Sequence, residues 1–596
     1  MQQSFTTRPE IRGTFGAVAS THWVASAVAM SVLERGGNAF DAAAAAGFVL
    51  QIIEPHLVGP GGEVPIILKK HDAAEPVVIC GQGPYPAAAT LERFASLGCK
   101  QVPGTGMLPS VVPGAFDAWM LMLRDYGTWK LADILEPAIG YAENGFPVLA
   151  RVASSILAAK DFFKTEWPTS AAVWLPNGEV PRPRTLLRTP AIAATYRRIV
   201  KEAESVGANR EAQIEKARDA YYRGFVAEAI DRFYRSNALI DSTGRRNGGL
   251  LTANDMARYR ATIEPTVSRL YRGLRVHKTG PWGQGPVMLQ VLAMLEGFDL
   301  DAMDPAGDAF VHTVVECLKL GYADREVFYG DPNFVDVPLA TLLSDEYAAA
   351  RRKLITDEAS PVMRPGDLPG AADRMKRVLA MAGAEKPVGL GYGEPTFPPL
   401  PVEWGDTVHL DVVDRFGNLF AATPSGGWLQ SSPAVPELGF SITTRGQMGW
   451  LEPGLPSTVR PNARPRTTLT PTLITRDGEA FLAMGTPGGD QQDQWTLAVL
   501  LRHIHHGLDL QAAIDSPLFT SRHFPQSFYP RTIEPNKLLV EDRFGPETID
   551  RLRDRGHGVQ VEGAWSLGRV VAAGREDGMV IAAATPRLMQ AYAIGR

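Results

Sequence analysis

Gly405-Asp406-Thr407-Val408-His409 is the stretch on which the reading of this chain turns, because a proline- and glycine-rich segment ends there and an apolar, β-branched run begins. The segment before it, residues 356–405, finishes in Pro398-Pro399-Leu400-Pro401 and is expected to hold no regular element for long. Val408–Val413 and Leu419–Thr423, joined by Asp414-Arg415-Phe416-Gly417-Asn418, read as a hairpin, which puts the Thr407 hydroxyl at a strand end. Threonine is a weak nucleophile without an adjacent base. An N-terminal threonine carries that base in its own α-amino group, and here the amine exists only if the Asp406–Thr407 bond is cut. On spacing alone the plainer reading stands, in which Thr407 is a β-branched strand residue.

Working outward, two more hairpins follow. Leu473–Ile474 and Ala480–Met484 flank Arg476–Glu479, and Arg569–Ala573 and Val580–Ala584 flank Glu576-Asp577-Gly578. Helical patterns cover Asp493–His506 and Pro546–Arg555. Upstream, residues 23–53 read as two helices broken at Gly36-Gly37-Asn38. The turn Glu54-Pro55-His56 to Gly62 then leads into strands at Val64–Leu68 and Val77–Cys80. Residues 115–330 are mainly helical, with loops at 181–184 and 244–249. The class is α+β, an antiparallel sheet with helices against it and a boundary within 356–405.

A chain of 596 residues buries a sizeable core, and its net charge of −5 argues against an electrostatically driven nucleic-acid or acidic-membrane binder. Cys80, Cys99 and Cys317 show no metal or CxxC spacing and read as reduced thiols. The N-terminus lacks a basic region followed by an apolar one, and no apolar run reaches the ~18 residues of a membrane span, so a cytoplasmic location is expected. No cofactor or metal is expected either. His503, His505 and His506 do not share one helix face and have no evident carboxylate partner, and Gly59-Pro60-Gly61-Gly62 lacks the Lys-Ser/Thr of a phosphate loop. Asp324 and Arg325 read as structural ion-pair or capping residues rather than an acid/base couple.

Two further pairs have chemical potential. Gly488-Gly489, just before a helix, offers backbone N–H groups to an anion, although a plain strand-to-helix turn explains it equally simply. Thr467-Thr468 offers adjacent hydroxyls. Together with Glu34–Ala43, Glu54–Gly62, Val112-Pro113-Gly114, Tyr222-Arg223-Gly224, Gly248–Thr252, Tyr322–Arg325, Gly330-Asp331-Pro332, Asp406–His409 and Asp414–Asn418, these segments resemble, in the same order, the γ-glutamyltranspeptidase family of N-terminal-nucleophile hydrolases. The resemblance implies a proenzyme that cuts itself before Thr407 into residues 1–406 and 407–596. The two fragments would stay together as one four-layer αββα sandwich. It implies that Thr407 attacks an amide carbonyl, that the N–H groups of Gly488 and Gly489 hold the oxyanion, and that Ser425 is the second, assisting hydroxyl. Thr467 and Thr468 match the family's paired serines at the substrate carboxylate.

The departures narrow the substrate. Gln82 stands where the family has the arginine that clamps the glutamyl α-carboxylate, Gly427 replaces its asparagine, and Met448 falls at its aspartate. Losing both charged readers leaves an α-amino acid unpaired in a closed pocket, which costs several kcal/mol. Arg445 offers a relocated fork for a carboxylate or a charge to polarise an acyl oxygen, and Trp428, Met448 and Trp450 add apolar bulk. The expectation is an autoprocessing threonine amidohydrolase acting on a small non-glutamyl acyl group, of the oxamate or acylase kind found in the family. A true γ-glutamyl hydrolase or transferase and a non-catalytic scaffold are the competing readings. The partners expected are a small-molecule amide and the chain's own cleaved fragment, with no nucleic acid and no membrane.

Overall fold

Alternation of small and branched apolar residues sets the layers of this protein. The computed structural model describes residues 5–385 and 407–596, so Gly405, Asp406 and the Pro398–Pro401 run lie outside the described residues. Fourteen strands form two seven-stranded sheets. In chain order they are β1 Ile11–Gly13, β2 Gly16–Ser20, β3 Val64–Lys69, β4 Val77–Gly81, β5 Thr262–Pro265, β6 Val267–Tyr271 and β7 Leu274–Lys278. After the undescribed segment come β8 Leu410–Asp414, β9 Leu419–Ala422, β10 Thr472–Arg476, β11 Glu479–Gly485, β12 Val571–Glu576, β13 Met579–Ala584 and β14 Tyr592–Gly595. One sheet has the order β1-β13-β12-β11-β10-β7-β6 and the other β14-β2-β8-β9-β3-β4-β5, every pairing antiparallel.

The faces sort by residue size. Ala17, Ala19, Val413, Leu419, Ala421, Ala483, Ala573 and Ala582 fill the space between the sheets, and their small side chains let the sheets approach closely. On the outer face of the second sheet Val18, Ile66, Leu410, Val412 and Phe420 join the core of the helices Trp23–Glu34, Ala39–Ile53 and Ala115–Tyr126. On the outer face of the first, Val276, Ile474, Leu482 and Ile581 pack with the helices Pro286–Leu295, Asp308–Phe328 and Gln492–His506. The result is the expected αββα sandwich.

Local chemistry explains the individual elements. The break at Gly36-Gly37-Asn38 works because Asn38 caps the next helix, accepting from Phe40 and Asp41 N–H while Asp41 accepts from Asn38 N–H. The alanine run of that helix is wholly buried, and Gly47 lies so near Trp119 that a Cβ would come 2.6 Å from the indole. All three hairpins form as read, and the three cysteines are buried free thiols. Among the described residues no helix is long and apolar enough to cross a membrane.

One expectation fails. The 356–405 segment does hold a regular element, the eleven-residue helix Ala371–Met381. Its sequence contains neither proline nor glycine, and Gly370, in the left-handed region at φ 79°, starts it cleanly. Averaging composition over fifty residues hid that local run. A three-stranded side sheet also escaped the reading; in it Lys537–Glu541 and Gly558–Glu562 pair in parallel.

Candidate active site

At one end of the second sheet a row of residues crosses adjacent chain segments. Thr407 stands three residues before β8, bridged antiparallel to Ser425, and Ser425 is bridged antiparallel to Glu63, just ahead of β3. Glu63 N–H donates to Ser425 O at 2.8 Å and Ser425 N–H donates to Glu63 O at 3.0 Å. Because Val64 pairs with Gly81, Gln82 comes next in the row. The Thr407 hydroxyl donates a long 3.4 Å bond to Ser425 Oγ. Arg445, in the turn Arg445–Met448, donates from Nη2 to Ser425 Oγ at 3.0 Å and from Nε to Glu63 Oε1 at 2.5 Å. Its guanidinium lies over Trp428 and Phe528, with centroids 5.6 and 5.5 Å away. Thr407, Ser425, Glu63 and Arg445 are all fully buried. The ring-and-carboxylate setting is built on a glycine: at Gly426, φ 74°, a Cβ would come 2.4 Å from Glu63 Oε2.

His409 ties this end to the facing sheet. Residues alternate along a strand, so Thr407, His409 and Asp411 share the inter-sheet side with Val413. His409 Nε2 meets Asp411 Oδ1 and Nδ1 meets Thr423 Oγ1, both at 2.9 Å. Burial pushes the Asp411 carboxyl up to about 6, with His409 opposing. The imidazole lies flat against the last residue of β11, where a Cβ on Gly485 would come 2.3 Å from its Cε1. Directly after Gly485 come Thr486-Pro487-Gly488-Gly489 and the helix Gln492–His506, the expected strand-to-helix turn. Gly488 and Gly489 have φ of 133° and 54°. Neither of their N–H groups donates a hydrogen bond among the described residues, which is the disposition an anion-binding turn requires. Gln284 Nε2 donates to Gly489 O at 3.3 Å and steadies the turn.

The other site residues fall around this end. Thr467 is bridged to Gly283, with its N–H donating to Trp282 O at 2.9 Å, and Thr468 Oγ1 is buried without a partner among the described residues. Gln82 is buried, makes a 3.4 Å bond to Gly83 O, and leaves Oε1 without a partner among the described residues. Beside it opens a cavity of about 270 Å³ lined also by Tyr85, Tyr259, Asp331 and Arg464; Thr407 is not part of its wall. The structure therefore brings Thr407, Ser425 and Arg445 into contact, aligns Gln82 with them, and puts the Thr467 and Gly488 pairs on the facing sheet's side. Reasoning from sequence missed Glu63 and gave His409 no role. An acid entering an apolar strand right after Gly59–Gly62, and a His-x-Asp repeat in an apolar run, were the available signals.

Of the residues set aside earlier, His503, His505, Asp324 and Arg325 have structural partners. His503 contacts Leu508 O, and His505 does have a carboxylate neighbour, Asp301 at 2.6 Å, contrary to the expectation, because a loop distant in sequence supplies it. Asp324 meets Arg351 and Arg325 meets Glu326, so each sits in a structural ion pair. His312, Glu316 and His557 cluster closely enough for a metal. Glu316, however, already carries Lys319 at 2.6 Å and Arg364 at 2.9 Å, whose charges oppose a cation there.

The sequence profile of gamma-glutamyltranspeptidases matches residues 25–595. The glutathione hydrolase-like YwrD proenzyme of Bacillus subtilis (strain 168) is 29% identical over 581 residues, covering 96% of this chain and 97% of that one. The oxamate amidohydrolase proenzyme of Klebsiella pneumoniae subsp. pneumoniae is 28% identical over 585 residues, covering 96% and 97%. The solved structure of LmbA2991T421A superimposes with a TM-score of 0.92 at 49% identity, covering 100% of both chains.

Proposed function

Since the chain belongs to the gamma-glutamyltranspeptidase family, we infer that it is an autoprocessing amidohydrolase whose nucleophile is Thr407 and whose acyl substrate is not γ-glutamyl. Cleavage before Thr407 would yield residues 1–406 and 407–596 and free the α-amine. That amine takes the Oγ1 proton as the oxygen bonds to the amide carbon, and the N–H groups of Gly488 and Gly489 receive the oxyanion. Collapse expels the substrate amine, which leaves with the proton held on the Thr407 ammonium. Water then adds to the acyl-enzyme with the same amine as base, and the carboxylic acid departs as Oγ1 regains its proton.

The observation that carries this reading is the contact row Thr407–Ser425–Arg445–Glu63. Arg445 polarises Ser425, next to the nucleophile, and Glu63 neutralises it. With two of its nitrogens engaged in this way, Arg445 is better suited to orienting Ser425 than to gripping a glutamyl carboxylate, and Gln82 brings no charge in the family arginine's place. Relatives named for glutathione and for oxamate span both substrate kinds; the neutral Gln82 favours the smaller, non-amino-acid acyl group. Intact-mass analysis should find two fragments, the smaller beginning at Thr407. A panel of oxamate, dicarboxylic monoamides, acyl anilides and a γ-glutamyl anilide should show turnover outside the γ-glutamyl compound. An uncut chain that turns over amides, or turnover confined to the γ-glutamyl anilide, refutes the reading.

A further inference from the structure

Beneath the loop that begins at Arg445 lies a buried ionic cluster whose charges do not balance. Arg325 and Arg466 share Glu326 Oε1 at 2.7 and 2.9 Å, and Arg325 also pairs with Asp490, the neighbour of Gly489. Asp490 is further saturated by the N–H and hydroxyl of Ser527, each at 2.7 Å. A third guanidinium, Arg531, is within electrostatic reach of Arg466, Glu326 and Asp490, yet it forms no ion pair with any carboxylate of the described residues. Among the described residues the three cations Arg325, Arg466 and Arg531 face the two anions Glu326 and Asp490. Arg531 is 1% exposed. Burial and the repulsion of Arg466 pull its pKa down to about 9, against the opposing pull of Glu326 and Asp490.

Arg531 is nevertheless held in place. Its Nη2 donates to Gln447 O at 3.1 Å, its guanidinium stacks 3.9 Å from the Trp450 ring centroid, and Tyr529 N–H binds Gln447 Oε1 at 3.1 Å. Gln447 is two residues from Arg445, which touches Ser425; Arg466 immediately precedes Thr467-Thr468. Arg531 is thus hydrogen-bonded to the loop that touches the nucleophile row and lies within electrostatic reach of Arg466, the residue before the threonine pair. Its Nη1 has no partner among the described residues, and neither do Trp450 Nε1 and Thr468 Oγ1. A buried guanidinium with an unpartnered nitrogen and no carboxylate pairing among the described residues suits a planar anion.

We propose that Arg531 is the specificity-determining residue for substrate charge, receiving a carboxylate carried by the acyl group, so that the preferred substrates are monoamides of dicarboxylic acids. The proposal rests on Thr407 as nucleophile only for the reaction; anion binding at Arg531 is separable from it.

The test uses processed wild-type protein, Arg531→Met and Arg531→Lys. Calorimetric titration with the dicarboxylates from oxalate to adipate, and with the matching diamides, reads binding without turnover. The p-nitroanilides of the same acids and of acetate and butyrate read catalysis. Wild type should bind at least one dicarboxylate tenfold or more tighter than its diamide. Arg531→Met should lose about 100-fold of that binding and raise KM on the anionic anilide by a similar factor, with kcat less affected and the neutral anilides unchanged. Arg531→Lys should keep part of the preference, and it decides the matter if the Met variant fails to fold. A processed Arg531→Met protein with undiminished anion preference, or a wild type with none, overturns the proposal. If no anilide is cleaved while anion binding still depends on Arg531, the nucleophile reading fails and this one stands.

Discussion

At the residue scale the site depends on buried groups whose charges and protons are assigned by contact. On the proposed scheme, Thr407→Ala would remove both the nucleophile and the hydroxyl that autoprocessing needs. The expected outcome is one full-length band under denaturing conditions and a loss of amidase turnover of about a thousand-fold or more, and a Thr407→Ala protein that is cut and active would contradict the scheme. Glu63 tests the neighbouring pair. Its carboxylate and the Arg445 guanidinium are both fully buried, so Glu63→Gln leaves a desolvated cation and should cost about 3–5 kcal/mol. Adding Arg445→Met to it should restore most of the lost melting temperature, though not the activity, because Ser425 would lose its donor. An unchanged melting temperature in the single variant would show that the pair is not what it looks like here.

At the element scale the helix Ala39–Ile53 delivers its C-cap, Glu54, into a wholly buried position next to the segment that leads from Thr407 into β8. Glu54 accepts from Thr21 Oγ1 at 3.1 Å and Gln590 Nε2 at 2.5 Å, and Thr21 N–H in turn donates to His409 O. Burial pushes its carboxyl from the ordinary 4.5 up to about 7, against the pull of Arg569 and Arg151; a helix C-terminus adds an unfavourable place for negative charge. Below pH 4.5 the group is protonated folded and unfolded, and it costs nothing. As pH rises toward about 7 the unfolded chain releases its proton first, so stability falls and levels off above that point. Glu54→Gln keeps the acceptor and removes the titration. Relative to wild type it should gain on the order of 3 kcal/mol between pH 4.5 and 8, visible as a melting-temperature gap that widens with pH. A gap that stays constant with pH would refute the assignment.

At the scale of the whole molecule, residues before and after position 407 are woven into both sheets. β8 is hydrogen-bonded between β2 and β9, β14 caps β2, and β1 adds to β13. A cut before Thr407 consequently leaves no separable halves. Processed protein should elute from a sizing column as a single species containing both fragments, and neither fragment expressed alone should fold; a fragment that runs free of the other under native conditions would be inconsistent with this weave. The sequence by itself determined the hairpins, the paired N-terminal helices, the strand-to-helix turn at Gly488-Gly489 and the run of motifs that placed Thr407 at a strand end, because each is written in local periodicity, capping residues and turn chemistry. It lost the helix Ala371–Met381 only where composition was averaged too broadly. What tertiary structure alone decided was partnership: that Glu63 claims Arg445, that His409 rests on Gly485, that Asp301 reaches His505, and that Arg531 has no carboxylate partner among the described residues. A side chain's charge is local to its residue, but whether that charge is answered depends on groups hundreds of residues away, brought together only when the sheets close.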